Sequence, residues 1–490
     1  MKRSEWAMTV ETGLPTIIQG GMGVAVSGWE LAGAVSASGE LGVVSGTALE
    51  IVLARRLQIG DPGGHMRRAL AAFPIPAMSR RIIKEYYIHG GKAEDESFRN
   101  VPRFTVTPKV ALQELAVVSA FVEVWLAKQG HPGPVGINFL RKIEIPLPFG
   151  LLGAMLAHVD YVIVGAGNPA EIPELIRKMS RGEDVDFGIR AQGMRSDDPR
   201  ISVRCSPREL LGVTSLPQPR FLAIVSSVDL AKGLASDPRT RPFGFIVEGP
   251  SAGGHNAPPR GPRVIDDLGQ PVYDKRDEPD IADLAAIGLP FWMAGSYGTP
   301  EGLAHAKSLG AVGVQVGTAF AYSAESGLAP SLKRAVLDQV MDGTVEVRSD
   351  WRVSPTGFPF KVVQLEGTVS DPEVAAARQA VCDLGALRVP FKKADGGLDY
   401  RCPAEPLSVY TGRKGGRAEN AEGRRCLCNA LMSAADLPQR RRSGAIEPAI
   451  VTSGDDFSSV HALQAAQPEG SGFYPASAVL HYLRTGLPTA

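Results

Sequence analysis

A barrel of eight strand-then-helix units, the (β/α)8 or TIM barrel, is the fold class this sequence predicts. Three observations lead there. Eight short apolar runs rich in β-branched residues recur through the first two thirds of the chain, most of them closing on glycine or serine. Each run is continuously hydrophobic and does not alternate, as parallel strands covered on both faces do. Helix-compatible segments follow most of them, and repeated strand-helix units close most simply as a barrel.

The runs are TIIQGGMG (16–23), LGVVSG (41–46), PVGINFL (134–140), VDYVIVGAG (159–167), FLAIVSS (221–227), FGFIVEG (243–249), PFWMAGS (290–296) and VGVQVGT (312–318). Between them, SGWELAGAVSASG (27–39) reads as a helix capped by Ser27 and closed by Gly39. TPEGLAHAKSLG (299–310) has Thr299 at the N-cap, Pro300 at the first helical position and Gly310 past the end. A long insertion, about 47–133, separates the second and third strands and holds the apolar helix 109–130. The connection 181–220 has room for a small hairpin. The barrel spans 12–330, and 331–490 read as a mainly helical C-terminal cap, with helices at 330–342 and 371–388 and an irregular Gly/Arg-rich stretch at 411–425.

Composition narrows the function. Lys+Arg and Asp+Glu balance at 52 each, with 44% hydrophobic and 21% charged residues, so no net field favours nucleic acid or an anionic membrane. The start, MKRSEWAMTVETGLP, lacks the apolar core of a secretory leader, and no run of about 18 apolar residues is free of charge. The cytoplasm is the expected compartment, with no membrane partner. Cys205, Cys382, Cys402, Cys426 and Cys428 are an odd number, which does not suggest a disulfide framework. CLC at 426–428 has tighter spacing than a zinc knuckle and no nearby histidine, so no metal is expected and the thiols read as idle or buried.

The chemistry should lie at the strand C-terminal ends, with a phosphate held after strands seven and eight. There, Gly295 and Gly317 let backbone N–H groups approach an anion, and Ser296 and Thr318 add hydroxyls. Gln315 puts an amide into an apolar strand, which favours a polar ligand nearby. QGGMG strips side chains from the first turn, so a flat ring could lie against Gly20, Gly21 and Gly23 with Met22 as a soft wall; an ordinary tight turn explains it equally well. Asn138 could bond the same ring. GAGNPA (165–170) fits a loose dinucleotide pattern, but it falls on the fourth strand and lacks a proper second strand, which argues against that reading. His255, in GPSAGGHNAPPRG (249–261), sits on the rim after the sixth strand. Gly253 and Gly254 leave it open to substrate and cofactor, and a neutral imidazole there can exchange a proton with an activated carbon. Glu248 is the candidate to orient it, and Arg260 the candidate to meet an anionic substrate.

PTIIQGGMG, SASGELGVVSGTAL, EGPSAGGHNAP and GAVGVQVGTAF, in this order over about 12–325, resemble the flavin-dependent nitronate monooxygenase family (formerly nitropropane dioxygenases), which includes flavin-dependent enoyl-acyl-carrier-protein reductases. The resemblance implies non-covalent FMN, with Gly21, Met22 and Gly23 facing the ring, Asn138 helping to hold it and Gly254 lying close to it. Gly295, Ser296, Gly317 and Thr318 would take the phosphate, with Gln315 near the cofactor and His255 as the catalytic residue. It further implies oxidation of an alkyl nitronate by O2 to a carbonyl compound and nitrite. The alternatives are NAD(P)H-dependent reduction of an activated alkene, with an acyl carrier protein as partner, and a flavin-binding regulatory protein without turnover. A homodimer is left open. The long C-terminal extension, the 47–133 insertion and SPTGFPFK (354–361) depart from the family pattern, and the insertion and SPTGFPFK are placed to reach over the pocket.

Overall fold

The computed structural model describes residues 13–468 and 470–486; most of the N-terminal stretch read for a leader, residues 1–12, lies outside them. Eight parallel strands form the barrel: β1 Ile17–Gln19, β2 Gly42–Ser45, β3 Val135–Leu140, β4 Tyr161–Gly165, β5 Arg220–Val225, β6 Gly244–Glu248, β7 Phe291–Ala294 and β8 Gly313–Val316. They are ordered β1-β8-β7-β6-β5-β4-β3-β2. A parallel bridge, Ile18 to Leu41, closes the circle through Gln19 N–H to Leu41 O at 2.9 Å and Leu41 N–H to Ile17 O at 3.1 Å. Seven of the eight apolar runs contain one of these strands whole, and the run 221–227 contains all of β5 but its first residue, Arg220.

The uniform hydrophobicity of the strands reflects two cores. Tyr161, Ile163, Leu222, Ile246 and Trp292 pack inside the barrel, where Trp292 Nε1 donates to Pro15 O at 2.8 Å. Alternate residues such as Val162, Val164, Ala223 and Val247 face the surrounding helices.

The ring begins with α1, Trp29–Ala37, and α2, Val110–Ala127. It continues with α3 Leu147–Leu156, α4 Ile172–Ser180, α5 Val228–Ser236, α6 Ile281–Ala285 and α7 Pro300–Ser308. α2 has the length and apolar character of a membrane span, but 72% of it is buried, packed on α1 and α3. Its Glu123 pairs with Arg56 at 2.5 Å and accepts the Trp29 N–H at 3.1 Å. The Thr299 cap forms, with Gly302 N–H donating to Oγ1 at 3.0 Å. Ser27, expected to cap α1, does not. Its hydroxyl accepts from Met22 N–H at 2.8 Å and reaches Gly20 O at 3.0 Å, pinning the turn after β1 and leaving Gly28 at the helix start.

The place of the eighth helix is filled from far along the chain. α8, Ala476–Thr485, packs against α1 and α7, and Arg484 pairs with Glu40 at 2.9 Å while Glu40 accepts the N–H groups of Thr16 and Ile17. Residues 331–490 therefore include a ring helix as well as a cap. The cap contains the helices Pro330–Met341, Leu427–Ala434 and Ser458–Ala465, and two antiparallel hairpins, Val347–Asp350 with Phe360–Val363 and Val389–Lys392 with Leu398–Arg401. The helix expected over 371–388 is confined to Pro372–Ala377; Arg378 turns extended, its guanidinium held by the buried Glu447. The 181–220 connection carries the hairpin Val185–Gly188 with Ser202–Cys205.

Candidate active site

One cavity opens at the C-terminal ends of the strands. Gly21, Met22 and Gly23 after β1, Asn138 on β3, Gly254 and His255 after β6, Gly295 and Ser296 after β7, and Gln315, Gly317 and Thr318 from β8 onward all line it. Parallel strands that share a direction bring their ends to a common rim, which is how residues nearly 300 positions apart meet.

Two glycines are sterically required. A Cβ on Gly21 would lie 2.4 Å from Asn138 Cβ, because Asn138 Nδ2 donates across the barrel mouth to Gly21 O at 3.1 Å. Gly295 has φ +89°, and a Cβ there would lie 2.7 Å from Ala252 N. Ser296 also adopts a left-handed φ of +55°, an uncommon conformation for a serine that re-aims the loop after β7.

His255 is not bare. Its loop pairs with the strand Phe360–Val363: Lys361 N–H donates to Gly254 O and Asn256 N–H to Pro359 O, both at 3.0 Å. Phe360 packs on the imidazole with ring centroids 4.4 Å apart. Nε2 lies 2.7 Å from Ser354 Oγ and 3.3 Å from Thr356 Oγ1, and these hydroxyls are 2.7 Å from each other. Among the described residues Nδ1 has no hydrogen-bond partner. Burial, and then the charge of Lys142, hold the imidazole well below its ordinary pKa, so it is neutral at neutral pH.

A second cavity continues past His255, sharing Ala166, Ile224, Glu248 and His255 with the first. Burial pushes Glu248 up to about 7 and brings Lys142 down to about 7, the latter with its ammonium 3.5 Å from the Phe358 ring centre. Two expectations change here. Ser354 and Thr356 orient His255, and Glu248 does not hydrogen-bond it. Arg260 lines the second cavity, but its guanidinium is engaged by the carbonyls of Ser226 and Arg276, which leaves it a structural tie.

The C-terminal extension supplies much of the roof. Gly454 N–H donates to Thr318 Oγ1 at 3.0 Å, and Thr452, Ser453, Leu427 and Cys428 face the first cavity. SPTGFPFK reaches over the site as its departure from the family pattern suggests, whereas the 47–133 insertion contributes only Thr47 and Ala48 to the wall. The signal missed for 448–454 was present: EPAIVTSG is another apolar run ending in small polar residues.

The chain is 28% identical over 188 residues to a (3aS,4S,5R,7aS)-5-hydroxy-7a-methyl-1-oxo-octahydro-1H-indene-4-carboxyl-CoA dehydrogenase of Mycobacterium tuberculosis, covering 38% of this chain and 47% of the relative. It is 27% identical to the same-named protein of Rhodococcus jostii over 40% of this chain and 53% of the relative. The matches thus span about half the length of these curated relatives. Among solved structures it is similar to FabK from Thermotoga maritima (TM-score 0.45, 16% identity, 96% and 91% of the two chains). It is also similar to nitroalkane oxidase from Streptomyces ansochromogenes (TM-score 0.44, 15% identity, 96% and 94%). Residues 220–354, which run from β5 through the His255 loop and β8 to Ser354, match the family model of nitronate monooxygenase.

Proposed function

We propose that the protein is an FMN-dependent oxidoreductase of the nitronate monooxygenase type in which His255 handles the proton. The observation that carries this is the neutral, hydroxyl-anchored His255 at the junction of two cavities, with its Nδ1 uncommitted. The residues present fit a flavin. Asn138 Oδ1 is buried without a partner, as an atom awaiting a ring N–H would be. The Gly21 and Gly295 turns keep side chains off the floor, and Ser296 and Thr318 give the loops after β7 and β8 the donors a phosphate needs.

When bound, the flavin supplies the electron transfer. The chain's own residues do the rest. Ser354 and Thr356 fix the imidazole plane through Nε2, so Nδ1 is the nitrogen that takes up or returns a proton at the substrate carbon. Phe360 packs against the imidazole, and segments of the extension roof the site. For a nitronate, O2 is the co-substrate and the products are a carbonyl compound and nitrite.

The second cavity favours a second reading, reduction of an activated double bond in a longer acyl thioester at the expense of NAD(P)H. Such a chain needs room beyond the reacting carbon, and the space past His255, bordered by Lys142 and Tyr273, provides it. Purified protein mixed without oxygen with propionate nitronate, NADH or NADPH separates the two. Bleaching of bound flavin by nitronate alone supports the first, and rapid bleaching by a nicotinamide supports the second. Failure to bind FMN refutes both.

A further inference from the structure

Past His255 the second cavity encloses about 220 Å³, where one water needs only ~10–15 Å³. Its walls are largely apolar, formed by Ile224, Val225 and Leu230 from β5 and α5 and by Pro250, Pro258 and Phe358 from the loops around them. Most of its polar side chains are already engaged. The Arg260 guanidinium holds the carbonyls of Ser226 and Arg276, and Asp277 accepts the N–H groups of Arg260 and Asp274 at 2.7 and 2.9 Å. Tyr273 donates to Ala257 O at 3.0 Å, and the Asn256 amide nitrogen donates to the carbonyls of Pro250 and Ala252.

Lys142 differs from these. It follows β3 in a turn closed by Ile143 N–H to Leu140 O at 2.9 Å, directly after Arg141. Arg141 pairs with Glu144 at 2.5 Å and lies over the Phe187 ring. Lys142 lines the second cavity and not the first, with its ammonium 3.5 Å from the centre of the Phe358 ring. Among the described residues no carboxylate offsets its burial. A ring face compensates a cation in part and does not neutralise it. A buried charge without a counter-charge is costly, so an ammonium set in the wall of an apolar cavity is matched by an anion that enters with the ligand.

The balance of charge around the cavity limits that anion. Arg260 and Asp277 offset each other, and Glu248, at the junction, adds a carboxyl without adding a cation. One ammonium suits a monoanion, whereas a phosphate dianion needs more donors than Lys142 supplies and would meet Glu248 and Asp277. The apolar walls suit methylenes. We propose that the second cavity is a subsite for a carboxylate carried on an aliphatic chain, with Lys142 as its counter-charge and Leu230 and Phe358 against the chain. The inference rests on the oxidoreductase reading, in which the reacting carbon lies beside His255, and it places the carboxylate of the substrate beyond the junction.

The test is binding without turnover. Full-length protein incubated with FMN, its flavin content measured separately, is titrated calorimetrically with hexanoate, hexanol and hexyl phosphate. The titration is run at about pH 6.5, where the Lys142 ammonium, brought down to about 7 by burial, is still charged. Hexanoate is expected to bind at least about tenfold more tightly than hexanol, the effect of one hydrogen bond to a charged group. Lys142→Met should abolish that preference and leave hexanol binding unchanged, and Lys142→Arg should keep it. Equal affinities for hexanoate and hexanol, tighter binding of hexyl phosphate, no hexanoate binding at up to about 10 mM, or an undiminished preference in Lys142→Met would overturn the proposal. The wild-type comparison decides the matter even if Lys142→Met does not fold. Because no reaction is followed, inactivity toward nitronate and nicotinamides would refute the catalytic reading and leave the subsite standing.

Discussion

Ser354→Ala isolates the contact that holds His255. Ser354 is fully buried and its hydroxyl lies 2.7 Å from His255 Nε2, with Thr356 Oγ1 farther off at 3.3 Å. Removing the hydroxyl leaves a buried ring nitrogen served only by the longer contact. A buried polar group left without its partner costs about 1–3 kcal/mol. Because Thr356 compensates in part, the lower end applies, and about 1.4 kcal/mol is a tenfold change in rate. The expected result is therefore a roughly tenfold fall in kcat/KM with the substrate that proves active. FMN content should stay unchanged, since Ser354 does not line the flavin cavity. Flavin absorbance and steady-state rates at several pH values measure both. Turnover equal to wild type would refute the orienting role, and loss of flavin along with turnover would show that the segment holds the cofactor site instead.

Lys142→Met removes the charge that, after burial, depresses the His255 pKa. A base active as the neutral form loses activity as pH falls through its pKa, so raising that pKa should move the acid limb of the kcat/KM profile to higher pH; an unmoved limb refutes the coupling. Gly21→Ala would place a Cβ 2.4 Å from Asn138 Cβ, and overpacking of this kind costs about 1–3 kcal/mol, so a lowered melting temperature and weakened FMN retention are expected by thermal denaturation and ultrafiltration. Thr318→Val keeps the shape but deletes the acceptor of the Gly454 N–H and a candidate phosphate donor. FMN affinity should fall by about fivefold or more, for a loss near 1 kcal/mol, read by fluorescence titration.

The barrel was legible because its signals are local. A strand covered on both faces must be apolar at every position, and Val162 and Ile163 show why, one serving the helix-facing core and the other the interior. Strand ends then share a rim by topology alone, so glycine turns and a rim histidine could be placed in one site from spacing. Of the extension, only SPTGFPFK was placed over the pocket from sequence; what escaped was the ring helix α8 and the roof from Thr452, Ser453 and Gly454. Ser27 looked like a cap because a serine before a helix usually is one, yet the Gly20 turn had the stronger demand on its hydroxyl.

The extension itself follows from how the ring is completed. α8 sits between α1 and α7, packed on both, whatever the length of chain between β8 and itself. A connection fixed at both ends to the same barrel has to travel over the rim and back, and its segments come to rest where the strand ends leave a concavity. That is why Ser354 reaches His255, Gly454 reaches Thr318 and Cys428 stands in the cavity wall. An insertion between strand and helix at the C-terminal end of a barrel can hardly avoid the active site. The 47–133 insertion also enters there, at Thr47, but its helices turn outward and bury Met66, Phe73 and Ile82 in the outer core, so it thickens the wall and leaves the roof to the chain after β8.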